Sequence, residues 1–473
     1  MFKRVKNFNI IRFGKFLLLL FTALLIYFSL FNKLGYENIN VDQFLWYERT
    51  ENFFQAIKEG DFSDTYQQYH PGVTLMYLIR LGQLSYRIST GDFSNHSDIS
   101  YENYGLYNYH TKLYVVIFCL LIILFSSHLV NKITKSKFIA ISFFIFLLLE
   151  SYYIGILRNL HMDGILSVLI FSSILSFYLA CSEKSTKYFI LSGILTGLGF
   201  LTKSVSFFIP LFCLIIFIVF LIKERNSFSL FMRMGILWIL ISIFVFVLLF
   251  PAMWVAPIDT LSRIIHDGVL DTGVSGSFNH YLNNTMTEDP GIFFYVKVLA
   301  FRITPFTHFL ILVYFVFLLI SLFRKKLKLI PELSILSLFF SALYFLVFTC
   351  LQKKTDRYMS SIYPFLALIS AYSFSILIDF LKNLRVGKKI KNFFVLFIFV
   401  ISFTYYVWNI FTLKPYFLAY YNHVLGGIDR AQKEMYLNQG GIGVFEISEY
   451  LDSLKLSDNT RIAVTNERES FKK

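Results

Sequence analysis

Charge is scarce in this sequence. Only 16% of its 473 residues are Asp, Glu, Lys or Arg, where a soluble globular domain carries roughly 25%. Hydrophobic residues make up 56%. That balance excludes a soluble protein, whose core could not shelter so many apolar side chains, and calls for a bilayer. Cysteine is scarce as well. Cys119, Cys181, Cys213 and Cys350 each lie in or at the end of an apolar run, without metal-ligand spacing or a disulfide framework. They read as small packing residues. The net charge of +14 would suggest nucleic acid in a soluble protein. Here the basic residues gather in short clusters between apolar runs, as cytoplasmic loops do, so no nucleic-acid partner is implied.

What is abundant is long apolar sequence. A helix needs about 20 apolar residues to cross a bilayer. Eleven stretches qualify, at 11–31, 112–130, 138–156, 163–181, 188–203, 204–222, 233–252, 304–323, 332–350, 359–380 and 392–411. The expected fold is an all-α polytopic membrane protein. The first stretch follows Lys3, Arg4 and Lys6, opens with Arg12 and Lys15, and has no small-residue cleavage site after it, so it reads as a retained span rather than a signal peptide.

The Lys/Arg bias sets the expected direction. Clusters such as Lys132, Lys135 and Lys137, or Arg324, Lys325, Lys326 and Lys328, fall in alternate loops, which become cytoplasmic if the N-terminus is. The tail then lies outside, with two long outer loops at 32–111 and 253–303. In the first, Val41 to Ile57 and Pro71 to Ile88 read as amphipathic helices, with Trp46, Tyr47, Tyr77 and Tyr86 suited to a membrane interface. Residues 1–411 form the expected membrane domain. The short tail, 412–473, holds turn signals at Gly426-Gly427 and Gly440-Gly441, a helix near Glu446 to Leu454 and a lone strand near Arg461 to Thr465. It either docks on the membrane portion or belongs to a truncated soluble domain.

Charged residues at the outer ends of spans mark where chemistry could sit. Asp42 follows the first span, and Asp163 opens the fourth. Lys203 lies in the fifth-to-sixth turn. Lys353, Lys354, Asp356, Arg357 and Tyr358 fill the ninth-to-tenth turn. Cations there could neutralise a lipid phosphate, and a carboxylate could take a proton from an acceptor. Plainer readings stand beside these. Lys and Arg snorkel to headgroups, Asp163 and Asp42 are fair helix caps, and His70 before Pro71-Gly72 shapes a turn. Glu150, inside the third apolar run, reads as interfacial beside Ser151, Tyr152 and Tyr153. The residues alone allow a membrane transferase or a transporter.

Several stretches, in order along the chain, resemble the GT-C membrane glycosyltransferases, the group of protein O-mannosyltransferases and the lipid A aminoarabinose transferase. They are Asn40-Val41-Asp42-Gln43, Tyr69 to Thr74, Arg158 to Asp163, Gly197 to Lys203, Phe250 to Trp254, Lys354 to Tyr358 followed by Pro364, and Pro415 to Asn422. The resemblance implies inverting transfer of a sugar from a polyprenyl-phosphate carrier to a protein, lipid or glycan acceptor on the outer face of the cell membrane. It implies Asp42 as general base and Asp163 as a second acid. Lys203, Arg357 and Tyr358 would clamp the phosphate, with Arg158 and Lys354 behind them and His70 near the cleft. No metal or other cofactor is implied. Many relatives have Asp-Glu where this chain has Asp42-Gln43, and many carry a larger C-terminal domain. The alternatives are a flippase for a lipid-linked sugar, for which no pair of matching broken helices is evident, and a non-catalytic scaffold.

Overall fold

The computed structural model describes residues 19–37, 40–224, 227–268, 280–282, 285–287, 289–383, 387–435 and 442–455. The start of the first apolar stretch and the strand expected near Arg461 lie outside these residues. Within them the chain is a bundle of helices, and each of the eleven apolar stretches is helical. Seven helices are long and apolar enough to span a membrane by themselves. They include α4 (Tyr101–Thr134), α7 (Met162–Glu183), α10 (Phe228–Leu249), α14 (Pro305–Phe323) and α15 (Glu332–Cys350). The other two are α9 (Phe208–Lys223) and α16 (Tyr363–Asn383), each with the 3-10 turn that leads into it. Three shorter apolar helices fill further expected places: α1 (Leu19–Phe31), α8 (Thr186–Thr202) and the Val400–Leu413 end of α17 (Lys388–Leu413).

The third expected span departs from expectation. It is two helices, α5 (Lys137–Leu149) and α6 (Ser151–Arg158), bent by 75° where they meet. Glu150 sits at the break and is not interfacial. It is 2% exposed and accepts hydrogen bonds from the Thr304 amide (3.2 Å), the Thr304 hydroxyl (2.6 Å) and the Thr307 hydroxyl. The carboxylate stitches the bend to the start of α14, which satisfies a polar group that would otherwise be costly to bury.

At the centre stands α7, buried along nearly its whole length. Its serines bond to neighbours. Ser173 Oγ is 2.8 Å from Thr196 Oγ1 and 3.1 Å from Ser192 Oγ on α8, and Ser172 Oγ is 2.6 Å from Ser126 Oγ on α4. Small residues bring α8 and α10 together. A Cβ at Gly197 would lie 2.7 Å from Val245, and one at Gly193 would lie 2.9 Å from Ile241. Such interfaces suit helices that share a lipid solvent and gain little from hydrophobicity alone. The outward faces of α9, α10, α14 and α15 carry exposed Leu, Ile, Val and Phe.

Two helices lie between α1 and α4. In α2 (Val41–Glu59), the Asn40 side chain accepts from the Asp42 amide at 3.2 Å, and Gly60 closes the helix at φ +79°. Then comes α3 (Val73–Thr90). Their apolar faces turn into the protein. Trp46, Tyr47 and Tyr86, expected at a membrane interface, are buried. Tyr47 has a buried partner at each polar reach, donating to Asn108 (3.1 Å) and lying 2.8 Å from the Thr111 hydroxyl. Trp46 packs against Gly72, where a Cβ would fall 2.2 Å from the indole. Tyr77 is half-buried and donates to the Leu249 carbonyl at 3.4 Å.

The second long loop holds α11 (Ala252–Val255), α12 (Pro257–Ile265) and an unanticipated hairpin. In it β1 (His280–Leu282) pairs antiparallel with β2 (Thr285–Thr287), with Tyr281 opposite Met286. Next is α13 (Phe294–Arg302). After α17 the chain turns back and packs Phe417 and Leu418 against α6, then forms α18 (Gly427–Glu434) and α19 (Val444–Ser453), the latter close to the expected tail helix.

Candidate active site

Four separate segments deliver charged side chains to one place. They are the first turn of α2, the turn into α7, the link from α8 to α9, and the 3-10 turn Asp356–Ile362 before α16. Each is a helix end, where backbone geometry can aim a side chain along the bundle rather than into lipid. The first brings Asp42. Its Oδ2 accepts from Arg357 Nη1 at 3.1 Å and lies 3.5 Å from His161 Nε2. The second brings Asp163, whose Oδ1 accepts from Lys203 Nζ at 2.8 Å. Asp163 Oδ2 faces His161 Nδ1 at 3.0 Å and Arg357 Nε at 3.7 Å. Lys203 also stands 4.8 Å from the centre of the Tyr358 ring.

Burial separates the two carboxylates. The Asp163 side chain is 5% exposed, that of Asp42 36%. Asp42 is therefore the acid a second molecule can reach. The hydrogen bond from His161 holds the Asp42 carboxyl well below its usual range. Burial pushes it up, and the His161 hydrogen bond together with the Arg357 charge outweighs that. On the other wall, His70 Nδ1 lies 3.0 Å from Ser204 Oγ. Burial, then the nearby Lys203 charge, holds the His70 ring well below the usual histidine range, so it is neutral at pH 7. The loop bearing His70 is tied to the same corner: the Gly72 amide donates to the Thr202 carbonyl at 3.2 Å.

Thus Asp42, Asp163, Lys203, Arg357 and Tyr358 come together, with His70 adjoining through Ser204. Arg158 and Lys354 are engaged elsewhere. Arg158 is buried against Glu37 (3.1 Å) and donates to the Ser29 (3.1 Å) and Asn32 (3.0 Å) carbonyls. Glu37 also accepts from Lys112 at 3.0 Å. Burial pushes the Glu37 carboxyl up, but the two cations win and hold it below its usual range. Lys354 reaches Asp289 (3.3 Å) and the Gly291 carbonyl (3.2 Å).

Three contributors have no assigned role in the sequence reading, although Lys353 stands among the charged residues of its turn. His161 was visible in the Arg158–Asp163 stretch, but its capping position drew no attention. Lys353 is half-buried, and its ammonium is held below the usual lysine range by burial and by Arg357 and Lys203. Arg302 is fully buried. It donates to Asp356 Oδ2 through Nε (3.1 Å) and Nη2 (2.6 Å), to the Leu418 and Tyr420 carbonyls (2.8 Å each) and to the Tyr421 hydroxyl (2.7 Å). Asp356 Oδ1 in turn accepts the Arg357 amide at 2.8 Å. Nothing local in the sequence signals these long-range pairs.

This many-helix bundle, with its paired-carboxylate, cation-rich cleft at helix ends, is similar in part of its sequence to a known family and in its fold to a solved structure. Residues 64–265 match the dolichyl-phosphate-mannose-protein mannosyltransferase family, a stretch that holds His70, His161, Asp163 and Lys203. The fold is similar to that of ArnT from Cupriavidus metallidurans bound to undecaprenyl phosphate, with a TM-score of 0.51 and 14% identity over 88% of this chain and 74% of that one. The apo state of the same protein gives a TM-score of 0.49 and 13% identity over 89% and 74%. No curated protein matches the chain in sequence.

Proposed function

We propose that the protein moves a sugar from a polyprenyl-phosphate carrier to an acceptor at the outer face of the cell membrane, with inversion at the anomeric carbon. The observation that carries the reading is the meeting of two carboxylates with Lys203 and Arg357 at one cleft. The solved ArnT relative, bound to undecaprenyl phosphate, supports the donor class.

The charges suit this chemistry. Asp42 and Asp163 are matched by Lys203 and Arg357, so the quartet is balanced before substrate arrives. Lys353 adds a further positive charge beside them. An anion entering the cleft thus meets net positive potential, and Arg357 can turn from carboxylate to phosphate because each offers its planar guanidinium a pair of anionic oxygens. In the reaction, an acceptor O–H or N–H gives its proton to Asp42 as the acceptor attacks the anomeric carbon. The bond from that carbon to the phosphate oxygen breaks, and polyprenyl phosphate leaves as an anion held by Lys203 and Arg357. Asp163, buried and paired, keeps Lys203 and Arg357 oriented. The Lys/Arg bias of alternate loops supports a cytoplasmic N-terminus with the cleft outside.

The test is direct. Purified protein in lipid nanodiscs is given polyprenyl-phosphate sugars labelled in the sugar, with cell-envelope membranes as acceptor. Label in an envelope component, with release of free polyprenyl phosphate, is expected. Absence of release with every hexosyl and pentosyl donor would sink the reading. Mass spectrometry of surface glycans in a deletion strain identifies the acceptor.

A further inference from the structure

Resting on that reading, we propose that His161 is the positioning residue of the base: its ring holds Asp42 by one carboxylate oxygen so that the other faces the acceptor. The ring sits at the cap of α7 and is nearly buried. Its two nitrogens point at two different acids. Nδ1 lies 3.0 Å from Asp163 Oδ2, and Nε2 lies 3.5 Å from Asp42 Oδ2. Asp42 and Asp163 belong to different helices, so the imidazole ties the outer-loop helix α2 to the central helix α7 at the site itself.

Arg357 bridges the same two oxygens, at 3.1 Å from Asp42 and 3.7 Å from Asp163. Its Nε is buried and makes no hydrogen bond among the described residues, so its donors are only partly used. Phosphate will compete for that guanidinium. Once Arg357 turns to phosphate, His161 is the group that still holds Asp42 Oδ2. Among the described residues, Asp42 Oδ1 has no polar contact, and the side chain is 36% exposed. The ring therefore fixes which oxygen is free, and orientation of this kind is worth a large factor in rate.

A plainer role competes with this one. The Asp163 amide points at Nδ1 from 3.4 Å, so His161 also caps α7, and capping alone would explain a histidine there. Asparagine separates the two. It caps a helix at least as well, but its shorter side chain cannot keep one atom at the Asp163 amide and reach Asp42 with another. We expect His161→Asn to retain the wild-type thermal midpoint and to bind undecaprenyl phosphate within twofold of wild type, while sugar transfer falls roughly 100-fold. In an Asp42→Asn background, the same change is expected to cost nothing further, because the ring acts through Asp42. Transfer by His161→Asn within twofold of wild type overturns the proposal in favour of capping. So does an additive loss in the double variant, or a loss of undecaprenyl phosphate binding as large as the loss of transfer. A wild-type protein that transfers nothing from any donor is a different result, and it defeats the glycosyltransferase reading on which the proposal stands.

Discussion

Replacing Asp42 by asparagine tests the chemistry with little change of shape. Asparagine keeps an oxygen for Arg357, now at 3.1 Å from Asp42, but it carries no charge and takes up no proton near neutral pH. A positioned general base contributes about 10²–10⁴ in rate, or roughly 3–5 kcal/mol of barrier. Transfer is expected to fall by that factor. Donor binding is expected to hold or improve, because a negative charge beside the phosphate has been removed. This split between binding and rate is what a base predicts and a phosphate ligand does not. Stability has its own sign. The folded Asp42 carboxyl titrates below the ordinary value of 3.8, because His161 and Arg357 favour its charged form. It therefore adds stability above pH 3.8, and that contribution is lost as pH falls through the lower folded value. Asp42→Asn will melt lower than wild type at neutral pH, and the gap will close on acidification. The assay is release of labelled polyprenyl phosphate in nanodiscs, with circular dichroism to follow melting. A variant that transfers sugar within tenfold of wild type, while folded, removes Asp42 as the base.

Other substitutions divide the site from its supports. Arg357→Ala and Lys203→Ala are each expected to raise the apparent donor KM at least tenfold, since each removes a charge-assisted contact of about 1.5–3 kcal/mol; unchanged KM in both would remove the phosphate clamp. Glu37→Gln removes the buried carboxylate shared by Lys112 and Arg158, a loss of about 3–5 kcal/mol, seen as a lower melting midpoint; a loss under about 1 kcal/mol would mean that water reaches the pair. Gly72→Val drives a Cβ into the Trp46 ring at a residue with φ +63°. It will displace the turn carrying His70, and donor affinity should fall with stability. Donor affinity equal to wild type in a folded Gly72→Val protein would place that turn away from the cleft.

The helices were legible because a bilayer-length apolar run has few other uses. The placing of Asp42, Asp163, Lys203 and Arg357 together came from motif resemblance and span ends, which say where a residue enters the fold. What could not be read was partner choice. Arg158 and Lys354 look in sequence like Lys203 and Arg357, basic residues at the same expected level. Glu37 and Asp289 claim them, from 121 and 65 residues away. Trp46 and Tyr47 were misjudged for a related reason. An amphipathic helix shows which face is apolar, not whether lipid or protein covers it. The break at Glu150 was hidden because the residues on both sides are apolar, and the bend depends on Thr304 and Thr307 much later in the chain.

The Arg302 clasp has a consequence for biogenesis. Arg302 is synthesised before every group that accepts a hydrogen bond from its side chain in the finished fold, and the Leu418 carbonyl arrives 116 residues later. Asp356, the first of its partners to emerge, also orders the backbone of Arg357. The charged cleft thus stays incomplete until four further helices, α14, α15, α16 and α17, have been inserted and the chain has folded back over α6. A nascent protein can be threaded through the membrane almost in full while the side chains of its cleft are still unassembled.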